Sequence, residues 1–192
     1  AGWNFLREAF KGGLIAQNRM KPGKVSWVSS KVGVRKSEIH GYGLFTKKAI
    51  GRGEVIIVQG GRIAHKLWNW AGIPRRWWYH CYQIEKSFYI CPINSETVDG
   101  VFLLNHSCNP NVGFKDSLSL AAMRRIHAGE EVCYDYAMSD SSAYANMPCY
   151  CGSKKCRGVI SHDDWKILEL QRGYKNYFSP YLRKIIASHG KK

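Results

Sequence analysis

The sequence predicts a mainly β, α+β fold: small antiparallel sheets followed by short C-terminal helices. Three observations lead there. From Val32 onward, short β-type runs are bounded by glycine, whereas serine-led helix starts are confined to the segment after residue 160. Between the two lie the closely set Cys149, Cys151 and Cys156, which add a loop that a metal ion could staple.

At 192 residues and 45% hydrophobic content, the chain is long enough for one domain with a real core and terminal extensions. Its first residues lack a long apolar run after a basic start, and no stretch approaches the roughly 18 apolar residues that a membrane span needs. The expectation is a soluble, unexported, intracellular chain with no membrane partner. A net charge of +15 raises affinity for phosphate backbones and anionic surfaces. Nucleic acid near the substrate is one reading of that charge, and a well-solvated basic surface is the other. Seven cysteines do not pair evenly, and three lie close together, which fits metal binding in a reducing compartment better than a disulfide framework.

Residues 1 to 30 open with Trp3, Phe5, Leu6 and Phe10, an apolar stripe for a short packing helix. Lys21-Pro22-Gly23-Lys24 then turns the chain into Val25-Ser26-Trp27-Val28. The runs Val32-Gly33-Val34, Leu44-Phe45-Thr46 and Glu54-Val55-Ile56-Ile57-Val58 read as strands. In Gly41-Tyr42-Gly43, between the first two, the glycines would let backbone approach a ligand closely. Taken alone it is an ordinary hairpin.

Residues 64 to 80 interleave Trp68, Trp70, Trp77 and Trp78 with His65, Lys66, Arg75 and Arg76, as a tryptophan-rich core helix or a surface for stacking and phosphate contacts. Strands are expected again at Leu118–Met123, which would be a core strand, and Glu131–Tyr134. Ser161 followed by Asp163 and Asp164 predicts a helix running to about Arg172, and Ser179-Pro180 predicts a second ending near the basic tail. Residues 137 to 148 are expected to be a mobile loop.

Chemistry concentrates in Asn105-His106-Ser107-Cys108-Asn109-Pro110-Asn111, in Gly129-Glu130-Glu131-Val132-Cys133-Tyr134-Asp135-Tyr136, and in the run Cys149-Tyr150-Cys151…Cys156. Asparagine and histidine side by side offer hydrogen bonds to a polar ligand, and Asn109-Pro110-Asn111 turns the chain sharply. A satisfied buried turn would need the same residues. Three thiolates spaced C-x-C-x4-C can turn toward one tetrahedral ion, but a fourth ligand is missing locally.

Together with the Gly41-Tyr42-Gly43 turn, these pieces resemble the SET domain, the lysine-methylating fold, with its small zinc-binding post-SET tail. The likeness covers about Val32 to Ile160. Within it, His80–Tyr82 and Phe88–Cys91 resemble the family's paired strands. It implies an N-terminal extension at 1–31, the SET domain at 32–137, a loop and post-SET zinc segment at 138–160, and a helical extension at 161–192. It also implies a pseudoknot-like crossing of the Asn105-His106 segment by the C-terminal part of the domain, which general rules of chain topology would not predict.

By the same resemblance, S-adenosylmethionine is the methyl donor, bound by His40, Gly41, Tyr42, Tyr82, Asn105, His106 and Tyr150. Asn105 and His106 would hold it through side-chain and backbone contacts, and Tyr82 would border both donor and lysine channel. Tyr136 matches the tyrosine that orients the reacting amine, and Tyr134 the position that limits how many methyl groups are added. Cys108 is carried over as the fourth zinc ligand beside Cys149, Cys151 and Cys156, leaving Cys81, Cys91 and Cys133 as buried thiols.

The chain departs from many relatives in having Gln59-Gly60-Gly61 for a tyrosine followed by glycine-glutamate, and Phe102-Leu103-Leu104 where an arginine precedes the asparagine-histidine string. Both changes bear on peptide binding. The implied function is methylation of a protein lysine, with a histone or another basic nucleic-acid-associated protein as substrate and a mono- or dimethylated product. The competing function is a non-catalytic SET-like module that binds chromatin or nucleic acid and uses zinc structurally. Tyr136 favours the enzyme, and Gln59 the module.

Overall fold

The computed structural model describes residues 26–65, 81–92, 100–141 and 146–189. The expected N-terminal stripe from Trp3 to Phe10, the turn at Lys21–Lys24, the tryptophans between 66 and 80, and His80 lie outside the described residues.

In chain order the strands are β1 (Trp27–Val28), β2 (Val32–Lys36), β3 (Tyr42–Thr46), β4 (Val55–Val58), β5 (Arg62–His65), β6 (Tyr82–Glu85) and β7 (Phe88–Cys91). They continue with β8 (Asn105–His106), β9 (Val112–Phe114), β10 (Ser119–Ala122), β11 (Glu131–Tyr134), β12 (Met147–Pro148) and β13 (Val159–Ile160). Two α-helices follow, α1 (Leu168–Tyr174) and α2 (Pro180–His189). Among the described residues four small sheets result, ordered β1-β4-β10-β9, β2-β3-β11-β8, β5-β7-β6 and β12-β13.

The first sheet is buried on both faces, since neighbouring Ile56 and Ile57 on β4 are fully inaccessible, as are Leu120, Ala121 and Ala122 on β10 to within 2%. Alternation would have exposed one of each pair. Tyr174, Phe178, Tyr181 and Leu182 from the C-terminal helices join the same core as β4 and β10. Burying Phe178 or Leu182 stabilises by about 1.5 to 3 kcal/mol each.

In the second sheet every pairing but one is antiparallel. Cys133 and Tyr134 of β11 pair in parallel with Asn105 and His106 of β8, a departure from the all-antiparallel expectation. A parallel pair needs a long connection, and the whole β9–β10 excursion supplies it. Segment 105–111 is consequently held on several sides. Ser107 and Asn111 donate backbone bonds to Tyr134 and Cys133, while Cys108 meets Cys149 from the later loop.

Three expectations are corrected. Cys81 and Cys91 are not free thiols: the β6–β7 register pairs Tyr82 with Ile90, which sets the two cysteines opposite each other with Cα atoms 4.2 Å apart, and they form a disulfide. Cys133 is the buried thiol of that set.

The helix expected from Ser161 to Arg172 is broken. The Ser161 hydroxyl accepts the Asp163 N–H ahead of a 3-10 turn at Asp164–Lys166, Ile167 is extended, and α1 begins only at Leu168. Asp164 is drawn to Arg157 and Trp165 is buried, so the segment bends inward before the helix starts. Ser179 behaves as expected, its hydroxyl accepting the Leu182 N–H at the start of α2.

The stretch 137–148 is structured at both ends. Ala137 and Met138 lie in a buried 3-10 turn and Met147–Pro148 form β12, while 142–145 lie outside the described residues.

Candidate active site and metal centre

Strand β11 carries the site. Its C-terminal end and the turn that follows present Tyr134 and Tyr136, whose ring centroids are 5.0 Å apart. The row extends both ways. Beyond Tyr136 lies His106 at 5.1 Å, and beyond Tyr134 come Phe114 at 6.0 Å and then Tyr82, 5.8 Å from Phe114. These aromatic residues come from four strands and one turn and line up as a single wall.

Polar handles set each ring. The Tyr136 hydroxyl donates to the Leu104 carbonyl at 3.2 Å and that of Tyr82 to the Ser117 carbonyl at 3.1 Å. Burial raises both Tyr82 and Tyr134, the latter to about 12, so each keeps its phenolic proton near neutral pH. Tyr82 stands next to Phe114, at the Tyr134 end of the row rather than beside Asn105.

Asparagine 105 joins the upstream turn to this wall. Its side-chain amide donates to the His40 and Tyr42 carbonyls at 3.2 Å each and to Glu131 Oε1 at 2.7 Å. Glu131 is fixed in turn by the Ser37 hydroxyl at 2.9 Å. Gly43 leaves room for this arrangement, because a Cβ there would fall on the Glu131 carboxylate and displace it. Nothing in the sequence marks Glu131 beyond an acidic residue on an expected strand; its role comes from β11 running beside β8, where Cys133 pairs with Asn105.

The imidazole of His106 is used by the protein on both sides. Its Nδ1 accepts the Tyr136 backbone N–H at 3.2 Å, which leaves the proton on Nε2, directed at Cys108 Sγ 3.3 Å away. Burial holds this histidine neutral, with a pKa down at about 4. Both ring nitrogens are therefore engaged within the protein. Gly41 and Tyr42 lie beside Asn105, and Tyr150 is 64% exposed on the cysteine loop.

The thiols of Cys108, Cys149, Cys151 and Cys156 all lie within 4.8 Å of one another. Cys108 and Cys149 are 3.8 Å apart, the sulfur–sulfur spacing of about 3.8 Å that a tetrahedral ion with Zn–S bonds near 2.3 Å imposes. Burial pushes the Cys108 thiol up to about 11, against a hydrogen bond from the Arg157 N–H at 3.4 Å. Several thiolates this close and this buried need a cation to exist together, and the donor set suits zinc. Cys108, distant in sequence, thus completes the C-x-C-x4-C loop.

A second network, which the sequence reading did not foresee, joins that loop to β11. Asp135, fully buried between the two tyrosines, accepts two bonds from Arg157, one from the Tyr174 hydroxyl at 2.9 Å and one from the Ala137 N–H at 3.0 Å. Arg157 also reaches Asp164 at 2.8 and 3.0 Å.

The chain belongs to the SET domain family, whose model matches residues 41–137, from the Gly41 turn to the tyrosine-bearing turn after β11. Among curated proteins it is similar to histone-lysine N-methyltransferase 2B of Homo sapiens, 33% identical over 145 residues, 68% of this chain and 5% of that protein. It is also similar to histone-lysine N-methyltransferase ASHR3 of Arabidopsis thaliana, 30% identical over 144 residues, 68% of this chain and 28% of that protein. The chain thus spans a minor part of these relatives.

Among solved structures it is similar to KRYPTONITE in complex with mCHG DNA and SAH, with a TM-score of 0.53 and 21% identity over 67% of this chain and 28% of that one. The methyltransferase domain of human SETMAR gives a TM-score of 0.50 and 23% identity, covering 67% of this chain and 57% of that one. At these identities the likeness is one of fold. Among the described residues, no helix is long and apolar enough to cross a membrane.

Proposed function

We propose that this chain is a protein-lysine N-methyltransferase that uses S-adenosylmethionine, with a histone or similar basic tail as substrate and a mono- or dimethylated product. The relatives named as histone-lysine N-methyltransferases support the substrate class. The observation that carries the reading is the pair of tyrosine rings 5.0 Å apart at the end of β11, next to the backbone of Asn105 and His106. In this reading 32–137 is the SET domain, 138–160 the zinc segment, and the protein works inside the cell.

When bound, the donor supplies a sulfonium methyl group, which passes to the amine and leaves a neutral thioether, while the amine's proton goes to water. The protein's part is to present lysine unprotonated. Bringing lysine from a pKa of about 10.4 to neutral pH costs about 4 to 5 kcal/mol, which an aromatic wall offsets by excluding water from the ammonium form. Tyr136, anchored on the Leu104 carbonyl, holds the amine in line, and Tyr134 closes the channel beside it. Asn105 fixes the His40–Tyr42 turn, which would border the donor. The four thiols would hold zinc, which would fasten the loop bearing Tyr150 to the Cys108 segment.

Incubation with labelled donor and a panel of histones tests the activity. Tyr136→Phe should keep donor affinity and lower the transfer rate at least tenfold, about 1.4 kcal/mol in the barrier. A fully active variant would remove Tyr136 from the mechanism. A wild-type protein that neither binds donor nor transfers methyl groups would leave the non-catalytic module.

A further inference from the structure

A groove of about 580 Å³ opens between the β9–β10 edge and the C-terminal helices, on residues that the methyl-transfer reading does not use, apart from Phe114 in its floor. Four of its lining side chains are cations: Arg52 from the turn before β4, Lys115 just after β9, Lys175 after α1, and Arg183 on α2. Among the described residues no carboxylate lines it and none of the four is in an ion pair, although Asp116 lies near Lys115. The Nε of Arg183 is buried with no hydrogen-bond partner, a cost that a bound anion would remove.

The groove is also built stiff. Gly113 allows Tyr177 to press onto β9, where a Cβ would come within 2.6 Å of the Tyr177 Cβ, so the segment after α1 is pinned to the sheet. Within that segment Lys175 has φ +42° and ψ −107°, the one positive φ of any described non-glycine residue. Glycine would sit there without strain. A lysine at such a position is an outlier of the kind that clusters at ligand clamps, and here the residue lines the groove.

We infer that this groove binds the phosphate backbone of a nucleic acid. The open shape and cations from four separate elements suit a charged strand better than a single small anion, and the net charge of +15 brings such a polymer in from a distance. A lipid surface would need apolar anchors at the rim. The groove's apolar residues are instead its floor, Phe114 buried and Tyr177 half-buried. The inference stands independently of methyl transfer.

The test is fluorescence anisotropy of the full chain with a short DNA duplex of arbitrary sequence, titrated between about 50 and 200 mM salt. The groove variant carries Arg52→Gln, Lys115→Gln, Lys175→Gly and Arg183→Gln. A second form keeps Arg183, so that loss of binding is not loss of folding. The control removes the same charge from exposed lysines on other elements, Lys36, Lys48, Lys86 and Lys154, each to Gln.

The groove variant should bind at least tenfold more weakly than wild type, with the slope of log K against log salt smaller by about 3.6. The Arg183-retaining form should follow in proportion, and the control should lose less than about threefold. Lys175→Gly alone should weaken binding without lowering the melting temperature. Equal losses in groove variant and control, no duplex binding by wild type, or binding to phosphatidylserine vesicles in place of DNA would each overturn the assignment.

Discussion

Arg157 and Asp135 meet through two parallel charge-assisted hydrogen bonds of 2.6 and 2.8 Å, with the carboxylate completely withdrawn from solvent. The arginine follows Cys156 of the thiol loop, and the aspartate separates Tyr134 from Tyr136. One ion pair therefore ties the metal-binding loop to the strand end that carries the tyrosines, and Asp164 and Tyr174 bring the C-terminal helical segment into the same knot.

Removing the cation alone leaves a buried charge, which costs more than the pair itself contributes. Arg157→Ala should destabilise the zinc-loaded protein by about 3 to 5 kcal/mol in urea unfolding. Tyr174→Phe takes one of the four bonds from Asp135 and should cost about 1 kcal/mol. Similar small losses for both would mean that water replaces the guanidinium.

Glu130 gives a pH signature. Burial alone would raise its pKa, but bonds from Arg124, the His127 N–H and the His127 ring outweigh it and bring the carboxyl to about 2. A depressed carboxyl stabilises the fold above its unfolded pKa of about 4.3, and that contribution is lost as pH falls toward 2. Glu130→Gln should therefore be less stable than wild type by about 1 to 2 kcal/mol at pH 7, with the gap closing between pH 4.5 and 2. A gap unchanged with pH in paired urea melts would contradict this account.

Local chemistry was legible in the sequence, and long-range pairing was not. The three loop cysteines announce a metal through spacing alone, whereas Cys108 needed a family resemblance because nothing near it in the chain says which thiols it meets. Glu131–Tyr134 was readable as a strand from its composition, but its parallel partner Asn105–His106 was not. The Cys81–Cys91 disulfide depends on the register of β6 against β7, and the bend at Ile167 depends on Arg157 capturing Asp164. His106 reads as a ligand-facing residue from its neighbours, and only the folded chain shows both ring nitrogens taken.

The thiol cluster should hold about one zinc ion per chain, measurable by elemental analysis. Cys151→Ser should lose it and melt at a lower temperature, and chelator should lower the wild-type melting temperature while leaving the variant unchanged. A full equivalent of zinc in Cys151→Ser would remove the four-thiolate assignment.

Tyr134 should govern how far methylation proceeds. Its ring stands 5.0 Å from that of Tyr136 and 6.0 Å from Phe114, so it sits inside the aromatic row. Its hydroxyl is hydrogen-bonded to Ser139 and kept protonated by burial, and its own O–H would hold a water, or the amine itself, on the side where a further methyl group would have to fit. Tyr134→Phe deletes one oxygen, keeps the ring that packs on Phe114, and frees about the volume of a water molecule. The variant should fold like the wild type and bind donor equally. Under multiple-turnover conditions with one substrate peptide, mass spectrometry should show the product shifting from mono- and dimethyl-lysine toward the trimethyl state. An unchanged distribution would mean that the hydroxyl does not reach the channel and that Tyr134 serves the wall through its ring alone.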